Sequence, residues 1–179
     1  VVLTISSKLS GTYQSAMIAA DDYENIYVVD AGSVAMGNGI LAEYALQLLD
    51  EGKSAAEIAA ALEEAKQKIV VVALVDTLEY LKKGGRVSKT SGFVGNLLNI
   101  CPLLNISHEG KLVPRYKIRT KKKAIAAIVD KMAELAENGT DYDGKCYICH
   151  SACYEDAKAV ADLIKARFPK LNGDVLINS

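Results

Sequence analysis

No uninterrupted apolar run in this chain approaches the roughly 20 residues that span a bilayer, and its first residues lack the basic, then apolar, then small-residue order of a secretory leader. Stable membrane insertion is not expected, and the expected location is the cytoplasm. Cysteine is scarce, and three of the four, Cys146, Cys149 and Cys153, are bunched. That is not the evenly spread framework of a secreted disulfide protein, and a reducing compartment suits it better. An excess of one charge sign is missing too. With 21 basic and 22 acidic residues the formal net charge is -1, which argues against nucleic acid as partner. Histidine is limited to His108 and His150. The first falls at a polar turn and the second at a strand end, where such a ring is commonly satisfied by its neighbours. Neither a Gly-x-Ser-x-Gly elbow nor a Walker loop occurs, so a hydrolase is not expected. Internal repeats and low-complexity segments are also lacking.

What is present is a chain of 179 residues, half of them apolar, enough for one ordinary domain or two small ones around a substantial core. It begins without Met inside a strand-like run and stops just after another, "DVLIN". It is therefore expected to be part of a longer protein. Val1 to Ile5 reads as a buried strand, Thr12 to Ala20 as a helix, Asn25 to Asp30 as a strand, and Gly37 to Asp50 as a helix with Ile40, Leu41, Tyr44 and Leu48 on one face. This βαβα order predicts a parallel sheet with helices packed on it. Gly52 closes the second helix, and Ser54 with Glu57 forms a capping box that opens a third, to about Lys68.

From there the pattern changes. The β-branched "IVVVALVD" predicts a strand, Asp76 and Glu79 a second capping box, and Gly84-Gly85 the end of a short helix. Another short helix is expected over 88–98. "CPLLNIS" and "KLVPRYKI" flank His108-Glu109-Gly110 as a β-hairpin. A helix from Thr120 to about Asn138, a strand "KCYICHS", a helix from Tyr154 to Phe168 and a last strand complete the chain. The expected class is α/β: residues 1–68 form part of a parallel α/β domain, and residues 69–179 a second, α+β domain with a mostly antiparallel sheet.

The stretch "ISSKLSGTY" (5–13) places Ser6, Ser7, Ser10 and Thr12, with Gly11, between a strand and a helix. A helix N-terminus leaves backbone N–H groups unpaired and carries partial positive charge. The carboxyl edge of a parallel strand is also the usual ligand edge of an open α/β sheet. Ser10 alone reads as a helix cap. Four hydroxyls exceed what a cap needs, so the loop as a whole is expected to bind an anion.

"SSKLSGTYQSA" (6–16), "VVDAGSVAMGNG" (28–39), "LEYLKKGGRVS" (78–88), "LLNICPLLNISHEGKL" (97–112) and "KIRTKKKAI" (117–125), in that order, resemble the bacterial DegV family of fatty-acid-binding proteins. The resemblance covers essentially the whole chain. It implies a parallel α/β domain, then a domain with an antiparallel sheet, and a long-chain fatty acid buried between them. It also implies no enzymatic activity and no cofactor other than that ligand. Ser10 matches the family serine that receives the carboxylate, with Gly11, Thr12 and Ser7 beside it. A second hydroxyl comes, in the family, from an upstream Thr-Ser-Gln-Pro segment. Neither that segment nor a downstream His-x-Gly-Pro-Gly-type stretch is present. Some relatives present the acid to a fatty-acid kinase, and Arg86 and Arg119 match arginines near that docking surface. Palmitate binding, lipid transport and phospholipid metabolism belong to the same expectation.

From Lys111 to Lys123 there are seven basic residues and no acid, with Arg115, Lys117 and Arg119 on one strand face. Lys82, Lys83, Arg86 and Lys89 form a second cluster. A solvated charge run is the ordinary explanation, yet Lys121, Lys122 and Lys123 in a first helical turn oppose the macrodipole. That points to an anionic partner. Cys146 and Cys149, three apart on a strand, face opposite ways and are not expected to share a metal. Two other functions remain open at this level. One is a sugar-phosphate-binding domain or isomerase using the same hydroxyl loop; the other is an interaction module built on the basic hairpin.

Overall fold

A computed structural model of the chain describes residues 1–88 and 100–179. It divides into two units: residues 1–71 with 106–113, and residues 72–105 with 114–179. All but the first residue of the helix expected over 88–98, and Lys89, fall on 89–99, outside the described residues.

In the first unit β1 (Val2–Thr4), α1 (Thr12–Ala20), β2 (Val28–Asp30), α2 (Met36–Asp50) and α3 (Ala55–Ala65) follow in turn, and α3 tightens into a 3-10 turn at Lys66–Lys68. β1 and β2 are parallel, with Val2 opposite Val28, Leu3 opposite Val29 and Thr4 opposite Asp30, as the βαβα alternation predicts. The first strand is not buried along its length, because Val1 and Val2 are 46% and 41% exposed. Apolar content specifies an extended segment, but burial also needs neighbours, and β1 has a described strand on one side only. Val29, Ala31, Leu41, Leu48, Ile58, Ala59 and Leu62 make the core of this unit. On α2 the inward face is Gly37, Leu41, Ala45 and Leu48, whereas Tyr44 lies at its exposed margin. The Ser54–Glu57 capping box forms with both reciprocal bonds.

The second unit holds β3 (Val72–Leu74), α4 (Glu79–Lys83), β4 (Ile100–Ile106), β5 (Leu112–Arg119), α5 (Lys121–Leu135), β6 (Tyr147–Cys149), α6 (Tyr154–Arg167) and β7 (Leu176–Asn178), apart from the hairpin tip. β3 pairs antiparallel with β4, β4 neighbours β5, and β6 and β7 form a separate parallel pair. The class is thus the mixed α/β expected, with an antiparallel three-stranded sheet in the second half. Val129, Val160, Ala161, Ile164, Phe168 and Val175 form its helix-side core.

Two local expectations are corrected. Asp76 does not cap α4; the Thr77 hydroxyl accepts from the Glu79 N–H at 3.1 Å, and Asp76 instead faces Lys121 at 3.7 Å. α5 stops at Leu135 rather than Asn138, because Ala136 turns extended with φ of -71° and ψ of 142°, and Asn138 and Gly139 beyond it adopt left-handed φ values of 63° and 60°. Among the described residues no helix is long and apolar enough to cross a membrane.

Candidate functional site

The loop leaving β1 is held at three points. Continuing the alternation of the strand, Thr4 and Ser6 both turn inward, and Ser6 is fully buried. Its hydroxyl donates to the Gly110 carbonyl at 2.7 Å and accepts from the Lys8 N–H at 3.2 Å. Its backbone N–H donates to the Ser33 carbonyl at 2.8 Å. Its own carbonyl accepts from Leu9 and Ser10, at 2.9 and 3.1 Å. Ser7 points the other way. Its N–H is shared between both carboxylate oxygens of Asp30 at 3.2 Å each, and the Gly32 N–H reaches the same carboxylate at 2.9 Å.

Burial alone would raise the Asp30 pKa. The Ser7 hydroxyl, the Gly32 and Ser7 N–H groups and the charge of Lys66 outweigh it and hold the carboxyl below its ordinary value of 3.8. A depressed folded-state pKa means that the stabilisation is complete above the ordinary value and is lost as pH falls through the lower one. The amide shifts of Ser7 and Gly32 are therefore expected to titrate with a midpoint below 3.8, and to be flat across that range in Asp30→Asn. A midpoint at or above the ordinary value would contradict this clamp.

Past these anchors the chain turns into α1. Ser10 is half-buried, while Gly11 and Thr12 are exposed. The Ser10 and Thr12 hydroxyls share a hydrogen bond of 2.7 Å, and Ser10 Oγ accepts from the Thr12 N–H at 3.3 Å. Gly11 is the N-cap residue, and a Cβ built on it would meet nothing within 4 Å. The structure thus brings Ser10, Gly11 and Thr12 together at a helix N-terminus with open space beside them. Ser7 stays with the same loop but directs its N–H at Asp30. An oxygen-rich anion could replace the Ser10–Thr12 bond with two bonds to itself, while the partial positive charge of the helix end favours its charge.

Asp30 and Gly110, which fix this loop, were not among the residues expected from sequence. A polar residue closing a β-branched run beside a hydroxyl loop was the available signal for Asp30. A groove of about 530 Å³ lies in the same unit, lined by Tyr13, Met17, Ile26, Tyr27, Val28 and Ala59 among others; none of Ser7, Ser10, Gly11 and Thr12 lines it.

Arg86 and Arg119 are both exposed in the second unit, and Arg86 donates to the Gly84 carbonyl. The basic stretch is less bare than its sequence. Lys121 bonds Asp156 at 3.0 Å and lies 3.7 Å from Asp76, so acids from two other segments offset its unfavourable place in the first turn of α5. Arg115 donates to Asn105 at 2.9 Å, and Lys111 pairs with Glu109. Lys122 and Lys123 remain exposed.

His150 is satisfied locally: its Nδ1 accepts from the Cys153 N–H at 3.3 Å, and its ring meets Tyr154 edge-on. Cys146 packs on the core while Cys149 is exposed, the opposite-facing arrangement expected. All four thiols are free. Burial pushes Cys146 up to about 11; Cys101 is also raised, by burial first and then by Asp76, against Lys121. Because the reagent needs access to the sulfur and the thiolate is the nucleophile, iodoacetamide at neutral pH is expected to label the exposed Cys149 and Cys153 faster than the buried Cys101 and the core-packed Cys146. Peptide mapping checks this order, and equal labelling of Cys146 would contradict its burial.

A family model described as an uncharacterised protein of the DegV family matches residues 1–177. A fatty acid-binding protein of Thermotoga maritima is 41% identical over 143 residues, 78% of this chain and 49% of that protein. The crystal structure of a family protein from Eubacterium eligens loaded with heptadecanoic acid superposes with a TM-score of 0.85 at 28% identity, over 99% of this chain and 64% of that one. The fatty acid kinase B3 protein of Streptococcus pneumoniae, loaded with linoleic acid, does so with a TM-score of 0.85 at 27% identity, over 98% and 62%. The chain spans about three fifths of the length of the first curated relative it matches.

Proposed function

The chain belongs to the DegV family, and on that premise we propose that it binds a long-chain fatty acid without transforming it. The carboxylate is held at Ser10, Gly11 and Thr12, with Ser7 tying the loop to Asp30, and the acyl chain is kept from water. The observation that carries this reading is the exposed Ser10–Thr12 hydroxyl pair at the head of α1, in a chain whose solved neighbours hold heptadecanoic and linoleic acids. Those ligands favour an acyl chain over a sugar phosphate at the same loop.

Magnitudes divide the labour. Burying each methylene gives about 0.8 kcal/mol, so a long tail gains on the order of 10 kcal/mol gross, against roughly 1.5–3 kcal/mol for a hydrogen bond to the charged head. The tail supplies affinity and the loop orientation. Arg86 and Arg119 are proposed as contacts for a fatty-acid kinase; support comes from their exposure and from the kinase component among the structural neighbours. A cytoplasmic carrier feeding phospholipid metabolism, with palmitate among its ligands, is the setting this proposal implies.

Native mass spectrometry of the full-length protein as purified tests it. The expected spectrum shows one long-chain fatty acid carried per chain, released on denaturation. Protein that purifies empty and takes up no added fatty acid, but binds sugar phosphates, would overturn the reading.

A further inference from the structure

One polar side chain of the loop leading into α1 does not face the ligand side. Ser6 is fully buried, yet each of its polar groups has a partner: Gly110 and Lys8 for the hydroxyl, Ser33 for the N–H, Leu9 and Ser10 for the carbonyl. The last of these fixes the backbone of the head-group serine itself. Its hydroxyl partner lies 104 residues away, at the tip of the β4–β5 hairpin. Gly110 sits there with φ of 80°, and a Cβ on it would lie 2.3 Å from Ser6 Oγ and 3.3 Å from the Gly32 Cα. Only glycine allows the tip to seat against both loops of the first unit. The tip is itself closed by hydrogen bonds from Gly110 N–H to Ser107 and from Ser107 N–H to Lys111. It is therefore a formed turn and not a free end leaning on the loop.

We propose that Ser6 is a positioning residue for the head-group site, held by the Gly110 carbonyl, so that the hairpin tip sets the orientation of Ser10. This rests on the fatty-acid reading of the Ser10 loop and adds a control point to it. A buried hydroxyl that serves only packing would be replaceable by a methyl group with loss of stability alone. One that orients Ser10 acts through Ser10, and its removal has no further effect on binding once the Ser10 hydroxyl is gone.

The experiment is a double-mutant cycle in the full-length protein with Ser6→Ala, Ser10→Ala and both, read by titration with a fluorescent fatty acid. The backbone amide shifts of Lys8, Ser10 and Gly110 are followed in ligand-free protein alongside. Ser6→Ala is expected to weaken binding about 5-fold, the value of one ordinary hydrogen bond, and to move the Ser10 amide shift. The double variant is expected to bind no more weakly than Ser10→Ala alone. Additive losses, unchanged affinity in Ser6→Ala, or an unmoved Ser10 amide would each overturn the positioning role. If Ser10→Ala itself leaves binding unchanged, the head-group reading falls, and the Ser10 amide shift still decides whether Ser6 sets that loop. Ser6→Cys, which keeps a weak donor of similar size, gives the same pattern in smaller measure should the alanine variant fail to fold.

Discussion

Phe168→Ala is expected to destabilise the second unit by roughly 3–5 kcal/mol. Phe168 is 1% exposed and among the largest fully buried side chains of the protein. It stands at the C-terminal end of α6, where its N–H closes the last turn on the Ile164 carbonyl at 2.9 Å. Its ring packs in the cluster of Val129, Val160, Ala161, Ile164 and Val175, so it joins α5, α6 and the segment leading to β7. Truncation removes the transfer free energy of a benzyl group and leaves a cavity that these elements cannot all collapse to fill. Domain stabilities are commonly about 5–15 kcal/mol, so the change takes a large share. Urea unfolding followed by circular dichroism measures it. A loss below about 1 kcal/mol would mean that the cluster is not the core of this unit.

Ser10→Ala in the full-length protein is expected to cost roughly 1.5–3 kcal/mol of binding, about 10- to 150-fold in fatty-acid affinity. Binding should weaken but survive, because the acyl chain supplies most of the gross free energy. Stability should change little, since the Ser10 hydroxyl is half-exposed and its bonds are to Thr12. Arg119→Ala provides the contrast. Exposed on β5 in the other unit, it is expected to leave lipid binding nearly unchanged and to lower phosphorylation of the bound acid in a coupled kinase assay. Loss of lipid binding in Arg119→Ala with none in Ser10→Ala would move the head group to the basic cluster.

Much of this architecture was legible because it is local. The parallel β1–β2 pair follows from alternating strand and helix periods, and the Ser54–Glu57 box from a three-residue spacing. The hairpin around His108-Glu109-Gly110 follows from its turn chemistry. What escaped depends on partners far along the chain. Lys121 breaks the helix-dipole preference in sequence, and only the fold shows Asp76 and Asp156 beside it. Tyr44 has the right spacing for the α2 face but lies just past the edge of the core, where Ala45 fits instead. Within the hydroxyl loop, composition could not separate the serines. The inward period set by Thr4 assigns Ser6 to the interior, but continued it would turn Ser10 inward too; only the turn over 7–9 in the fold leaves Ser10 half-buried. The fit of Gly110 against Ser6 could not be read from either segment alone.

The central claim is that the carboxylate sits at the head of α1. Nuclear magnetic resonance of the full-length protein with a fatty acid carrying ¹³C at the carboxyl carbon tests it most directly. The account predicts magnetisation transfer from that carbon to the amide protons of Gly11 and Thr12, and a carboxyl shift that moves in Ser10→Ala. Transfer to Arg119 or Lys122 protons instead, with the Gly11 and Thr12 amides untouched by ligand, would contradict it.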